Sequence, residues 1–327
     1  MFYKILLSVL SLILALIIIE ILFSVLDIYT PRPIQYVEEY KNENSNSFKF
    51  DKNVGWKMVP NNNFQWITEK KRIKYYSNEK GFRVSKNHSS LDKYNHKKVL
   101  VLGDSHSWGL GLEYDKTFGG LVDRSFEDLD VINLAMPGFG LDQIYFSLVH
   151  WGITENPDMV IAVIFTDDFF RSFTARALFF NKPVFKDVNG RLILKSPSDR
   201  PNTLATYLEK KSRIIKLYRD GDEWLGRNYG LGKWWNLNKL ILDKIVETCK
   251  INNIQLLVVH VPYHTGNKFP LLKRYFDEKS IEYIDLNEMV KGNLQSYYFK
   301  KDKHLNENGH KLIAKYADKW IKNNLDK

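Results

Sequence analysis

Residues 99–112 read VLVLGDSHSWGLGL, and the fold turns on how that stretch is read. Four apolar residues run straight into Gly103-Asp104-Ser105. With Lys98 in front, KVLVLG is a short continuous apolar run, as expected of a strand covered on both faces. DVINLA at 130–135, DMVIAVIF at 158–165, IQLLVVHV at 254–261 and the weaker IEYIDL at 281–286 look the same. Helical patterns lie between and after them, over Thr117–Leu129, Leu141–Ile153, Leu204–Tyr218, Leu237–Lys250 and Asn306–Asn324. Strands alternating with helices of this length predict right-handed βαβ units, giving an α/β domain with a parallel central sheet and helices on both faces. FKDVNGRLIL at 185–194 breaks the rhythm. There Asn189-Gly190 between apolar runs predicts a β-hairpin insertion near 184–195, closed by a type I′ turn.

Working outward, the N-terminus is nearly unbroken apolar sequence from Ile5 to Leu26, interrupted only by Glu20. About 20 apolar residues cross a bilayer core as a helix. A cleavable signal peptide has a shorter apolar region and small residues before the cut, and neither is present here. Residues 1–28 therefore read as an uncleaved signal anchor, the single span of a membrane protein. Lys4 and the α-amino group favour the N-terminus inside and the large domain extracytoplasmic, with Arg32 on the far flank diluting the bias. Glu20 falls near the outer end, where a carboxylate snorkels cheaply. Residues 29–50 are polar with two prolines and suit a tether. Residues 51–97 alternate aromatic and polar positions between turn signals, then become polar at 86–97; they predict a small antiparallel accessory β layer and a linker. The α/β domain takes 98–327.

Composition narrows the function classes. The net charge is +10, but the lysines are scattered among Asp and Glu, the pattern of a solvated surface. No zinc-finger, homeodomain or RNA-recognition pattern is present, so nucleic acid is not an expected partner. The single cysteine, Cys249, excludes an intramolecular disulfide and sits in an amphipathic helix as a structural thiol.

In open parallel sheets, sites form beyond the carboxyl ends of the strands. Three polar clusters fall there: Gly103-Asp104-Ser105, the NLAMPGFG stretch from Asn133 to Gly140, and Thr166-Asp167-Asp168. A fourth, Lys301-Asp302-Lys303-His304-Leu305-Asn306, precedes the last helix and returns to the same rim. Together the four resemble the GDSL/SGNH hydrolase superfamily, named for blocks centred on Ser, Gly, Asn and His. The resemblance spans Lys98 to Asn324 and implies a three-layer, flavodoxin-like α/β/α fold. More narrowly, the anchor, the Gly55-Trp56 and Gly81-Phe82-Arg83 stretches and Asn133…Pro137-Gly138…Gln143 look like membrane-anchored members related to the alginate O-acetylation proteins.

The resemblance implies roles that chemistry can justify. Ser105 is the candidate nucleophile, and a hydroxyl needs an adjacent base. His304 can take its proton through one ring nitrogen while Asp302 holds the other. Many family members place the Asp three residues before the His; here that position is Lys301, so Asp302 departs from the pattern. Candidate oxyanion donors are the N–H groups of Ser105 and Gly138. At the third block Asp167 stands where the family has Asn, and an ionised carboxylate would repel a developing oxyanion. Either Asp167 is protonated, or Thr166, His106 or Arg171 substitutes as donor, or catalysis is weak. Helix capping is the plain alternative for Asp167 and Asp168.

Of the neighbours, Asp104 reads as structural, and His106 as either substrate-facing or solvated in the turn. Ser107 is the rival nucleophile. The missing second glycine of a nucleophile elbow argues against the α/β-hydrolase fold. His310, six residues after His304, has no zincin-like carboxylate partner and reads as a helix-surface histidine; His264 reads as a loop histidine. No metal or cofactor is called for. The expectation is a membrane-anchored serine esterase acting on O-acyl, chiefly O-acetyl, groups of a cell-envelope polysaccharide. An O-acyltransferase using the same acyl-enzyme, a non-catalytic carbohydrate-binding scaffold of the same fold, and a lipid-directed esterase stand beside it.

Overall fold

The computed structural model describes residues 2–26, 47–68, 71–87, 96–174, 180–196, 212–214, 217, 231–264, 270–290 and 292–325. The chain divides into two compact units, Met1–Glu43 with Ser198–Lys233, and Asn44–Pro197 with Trp234–Lys327. The expected tether at 29–50 and the helix expected over Leu204–Tyr218 lie largely outside the described residues.

In the first unit, α1 (Phe2–Val25) is long and apolar enough to cross a membrane. Its side chains are exposed except for half-buried Glu20 and Phe23. Glu20 accepts hydrogen bonds from Ser212 Oγ (2.8 Å) and from the backbone N–H groups of Arg213 (2.6 Å) and Ile214 (3.2 Å). Arg213 Nη1 donates to the Phe23 carbonyl at 2.6 Å. The carboxylate expected to snorkel is thus taken up by the chain itself.

The second unit begins with an antiparallel pair, β1 (Phe48–Asp51) and β2 (Gly55–Met58). Then come β3 (Asn63–Thr68), β4 (Lys71–Ser77), β5 (Arg83–Val84), β6 (Lys97–Leu102), α2 (Ser105–Trp108), α3 (Phe118–Ser125), β7 (Leu129–Asn133) and α4 (Leu141–Ser147). After these lie β8 (Met159–Phe165), α5 (Asp168–Arg171), β9 (Val184–Val188), β10 (Arg191–Lys195) and α6 (Leu231–Ile251). The last elements are β11 (Gln255–Val261), α7 (Pro270–Lys279), β12 (Glu282–Asp285), α8 (Leu286–Met289) and α9 (Glu307–Asn324).

All five strands expected of the parallel sheet are present, in the order β12-β11-β8-β6-β7. The chain goes from β6 to β7 on one side and then to β8 on the other, so the order reverses beside β6. Such a switch point opens a crevice at the strand's carboxyl end, which is where Ser105 sits. One face of β6, β8 and β11 buries Val99, Val101, Ile161, Val163, Leu257 and Val259 against Phe118 and Val122 of α3 and Ile313, Ala317 and Trp320 of α9. On the other face, α4 continues through a π-turn (Leu148–Gly152) that seats Gly152 against Leu100. Cys249 is buried on α6, and burial pushes its thiol up to about 12.

Three differences from the sequence reading matter. First, β3, β4 and β5 do not form a separate layer: they continue the central sheet in antiparallel fashion, giving eight strands in all. They join it through the pairing of Arg83 with Asn133 on β7. The strict alternation of β3, with Phe64, Trp66 and Thr68 buried, fits a sheet covered on one face. Second, α3 ends at Ser125, because Leu129 already belongs to β7. Third, α7 was not anticipated at all. The 184–195 hairpin forms with Asn189 at φ 53° and Gly190 at φ 76°, both positive as a type I′ turn requires.

Candidate active site

Three strand-end turns and one loop converge. After β6, Gly103 has φ 145°, and a Cβ there would lie 2.2 Å from Ser107 Oγ and 2.5 Å from the Val163 carbonyl. Only glycine lets the chain turn so tightly against β8. Asp104 Oδ1 then caps α2 by accepting the His106 N–H at 2.9 Å. Ser105 opens that helix with its Oγ 2.8 Å from His304 Nε2 and 3.3 Å from Asp104 Oδ2. Ser107, the rival, is fully buried and donates to the Asp104 carbonyl.

His304 comes from the loop before α9. That loop is fixed by a bridge between Tyr298 and Leu305, by Phe299 N–H donating to the His304 carbonyl (2.8 Å), and by Tyr298 OH donating to the Pro262 carbonyl (2.6 Å). Asn306 caps α9, receiving the N–H groups of Asn308 and Gly309. His304 Nδ1 lies 3.1 Å from Asp302 Oδ1, off the line of a well-aligned N–H. The structure therefore brings Ser105, His304 and Asp302 together in hydroxyl–imidazole–carboxylate order.

Gly138 lies at φ 78° in the loop after β7. Met136 N–H donates to the Gly103 carbonyl (3.2 Å), and Trp56 Nε1 to the Pro137 carbonyl (3.2 Å), so the loop is held against the turn that carries Ser105. The N–H groups of Ser105 and Gly138 meet no acceptor among the described residues.

The other candidates are placed differently from expectation. Thr166 is buried and turned toward β11, its Oγ1 3.1 Å from His260 Nε2; it faces a neighbour rather than an oxyanion. His260 Nδ1 in turn lies 3.3 Å from Asp285 Oδ1. His106 is neither substrate-facing nor solvated: it is 3% exposed, and its Nδ1 accepts the Leu305 N–H (3.3 Å), pinning the His304 loop. Burial pushes it down to about 3, so it stays neutral. His310 is not on the helix surface but wholly buried, accepting the Phe118 N–H at 3.1 Å, and burial likewise pushes it to about 3. Asp167 makes no capping bond; its Oδ1 accepts the Tyr263 hydroxyl.

Asp168 is fully buried and accepts the Phe165 N–H on Oδ2. Burial, then the nearby Asp104, pushes its carboxyl well above the usual range. Burial also acts on Asp104, but the Arg171 guanidinium and the His106 N–H it accepts outweigh it and hold that carboxyl below the usual range. Arg171 sits between the two.

Sequence reading missed the buttresses. Arg83, Trp56, Tyr263 and His260 all brace the site from other segments. Gly-Trp and Gly-Phe-Arg stood out in the sequence as motifs, yet nothing in their spacing says which loops they touch.

No protein-family profile matches this sequence, and no characterised protein matches it in sequence. Among solved structures, the chain is similar to a protein of the lipolytic G-D-S-L family from Desulfitobacterium hafniense, with 14% identity over 68% of this chain and 99% of that one, at a TM-score of 0.43. It is similar to an acetyl xylan esterase, with 14% identity over 68% and 99% at 0.41. It is also similar to a psychrotrophic esterase from Pseudoalteromonas sp., with 13% identity over 71% and 100% at 0.42.

Proposed function

We propose that this chain is a membrane-anchored serine esterase that removes O-acyl groups, acetyl foremost, from cell-envelope polysaccharide. The observation that carries the reading is the 2.8 Å approach of Ser105 Oγ to His304 Nε2, with Asp302 behind the other ring nitrogen. Ser105 Oγ bonds to the ester carbonyl carbon as its proton passes to His304. The tetrahedral oxyanion meets the N–H groups of Ser105 and Gly138. Collapse breaks the carbon–oxygen bond to the sugar, whose oxygen takes the proton back from His304. Water, deprotonated by His304, then attacks the acyl-serine; the acid leaves and Ser105 is restored. The apolar span supports a site kept beside the envelope.

The test is labelling of the full chain in detergent by a fluorophosphonate, paired with acetate release from an acetylated oligosaccharide. Both signals are expected, and both vanish in Ser105→Ala. Wild-type protein that neither labels nor releases acetate would overturn the reading. Acceleration by an added acceptor sugar would reassign the second step to acyl transfer.

A further inference from the structure

The Ser105–His304–Asp302 relay leaves two features beside it without a task. Asp167 brings a carboxylate to the turn after β8, where a growing oxyanion would be repelled. Arg171 brings a cation into the same corner, bonded in an unusual way. Its Nη1 donates to Asp104 Oδ2 (2.9 Å), Asp168 Oδ1 (2.8 Å) and the Phe139 carbonyl (3.1 Å). Asp104 Oδ2 is the very oxygen that lies 3.3 Å from Ser105 Oγ. One nitrogen thus ties together the nucleophile turn after β6, the Gly138 loop after β7 and the turn after β8.

The rest of the guanidinium is uncommitted. Nη2 and Nε donate to no acceptor among the described residues. The Arg171 side chain is 29% exposed, while both carboxylates it holds are wholly buried. Its stem lies against Gly140, two residues beyond Gly138, and its guanidinium carbon 5.9 Å from the Phe165 ring. The carboxylate best placed to compete for the open edge is Asp167, and the Tyr263 hydroxyl holds that group. Asp104 keeps its charge and Asp168 is pushed toward its neutral form, so the pair does not cancel the cation twice over.

We propose that Arg171 is the third oxyanion-stabilising group of this site: its open guanidinium edge faces the oxygen of the tetrahedral intermediate beside the N–H groups of Ser105 and Gly138, while Tyr263 keeps Asp167 from that edge. The proposal rests on Ser105 being the nucleophile. A fixed donor of this kind contributes about 10²–10³ in turnover.

The test uses full-length protein in detergent, a short-chain chromogenic ester and a fluorophosphonate. Arg171→Lys is expected to lower kcat and the labelling rate together by about 10²-fold, leaving KM nearly unchanged. Adding Asp167→Asn to that variant puts an amide donor where the carboxylate stood, and is expected to restore about tenfold. Tyr263→Phe, which leaves the buried carboxylates untouched, is expected to lower kcat, with Asp167→Asn again restoring it. That second pair decides the matter if Arg171→Lys fails to fold. A labelled wild type whose Arg171→Lys variant keeps its kcat while losing melting temperature would overturn this proposal alone, as would Asp167→Asn restoring neither background. An unlabelled wild type would instead remove the esterase reading, and this with it.

Discussion

Arg83 donates from Nη1 to the Gly109 carbonyl at 2.8 Å, across twenty-six residues of chain. It also reaches the carbonyls of Trp108 and Leu112, and its guanidinium lies 4.6 Å from the Tyr75 ring and 4.7 Å from the Trp108 ring. It is wholly buried, and burial pushes it down to about 10; no carboxylate bonds it among the described residues. The charge is instead solvated by carbonyls at and just beyond the end of the short helix that Ser105 opens, of which Gly109 also accepts the Leu112 N–H at 3.2 Å.

Arg83→Met leaves the Trp108 and Leu112 carbonyls without a donor, at about 1–3 kcal/mol each, while the Gly109 carbonyl keeps the Leu112 N–H. We expect a loss of about 3 kcal/mol or more in urea unfolding. Fluorophosphonate labelling of the residual folded protein should slow as well, because the turn carrying Ser105 loses its brace. A variant with wild-type unfolding midpoint would show that the brace is not needed.

Trp56→Phe removes one hydrogen bond, to the Pro137 carbonyl, and keeps most of the packing on Phe139, whose ring centroid is 5.2 Å away. The expected loss of stability is only about 1 kcal/mol. The expected loss of kcat is larger in proportion, since the loop carrying the Gly138 N–H is freed. Steady-state kinetics beside thermal melts separate the two.

The proposed nucleophile and its relay are tested by contrast. His304→Ala should abolish labelling, and Asp302→Asn should lower kcat by about 10²–10⁴ while leaving the fold intact. Ser107→Ala loses a bond to the Asp104 carbonyl alone and should keep labelling. Loss of labelling in Ser107→Ala with retention in Ser105→Ala would exchange the two serines.

Acid should destabilise the fold through His106 and His310, both held neutral at about 3 in the folded chain against 6.5 when exposed. Their contribution is complete above pH 6.5 and is lost as pH falls toward 3. Two such protons lower stability by roughly 2–3 kcal/mol per pH unit inside that window. Asp168, pushed upward, works in the opposite direction. His310→Asn, which keeps an acceptor for the Phe118 N–H, isolates one histidine; the slope of urea midpoint against pH should fall by about half of the two-histidine effect.

The five parallel strands were legible because each is a short apolar run, the central β6, β8 and β11 being buried on both faces, and the hairpin because Asn189-Gly190 dictates its own turn. Ser105, Asp302 and His304 were legible as motifs at strand and helix ends. The histidines were not. His106 and His310 are polar by type, and only the packed fold shows that each accepts one backbone N–H in the interior. Thr166 misled for the same reason, since its partner His260 lies on a strand ninety-four residues away. The role of β3–β5 was hidden because alternation fixes which face is buried but not which edge is joined.

That joined edge has a consequence for how such a chain can be cut or recombined. The strands β1 to β5 carry Trp56 and Arg83 into the loops around Ser105 and cover the flank of β7 through Arg83 and Asn133. A fragment starting at Lys98 would contain every candidate catalytic group and still present a bare strand edge to its neighbours, the usual template for aggregation. A piece that keeps both Trp56 and the covered edge of β7 therefore starts near Ser47, about fifty residues before the first of the candidate site motifs.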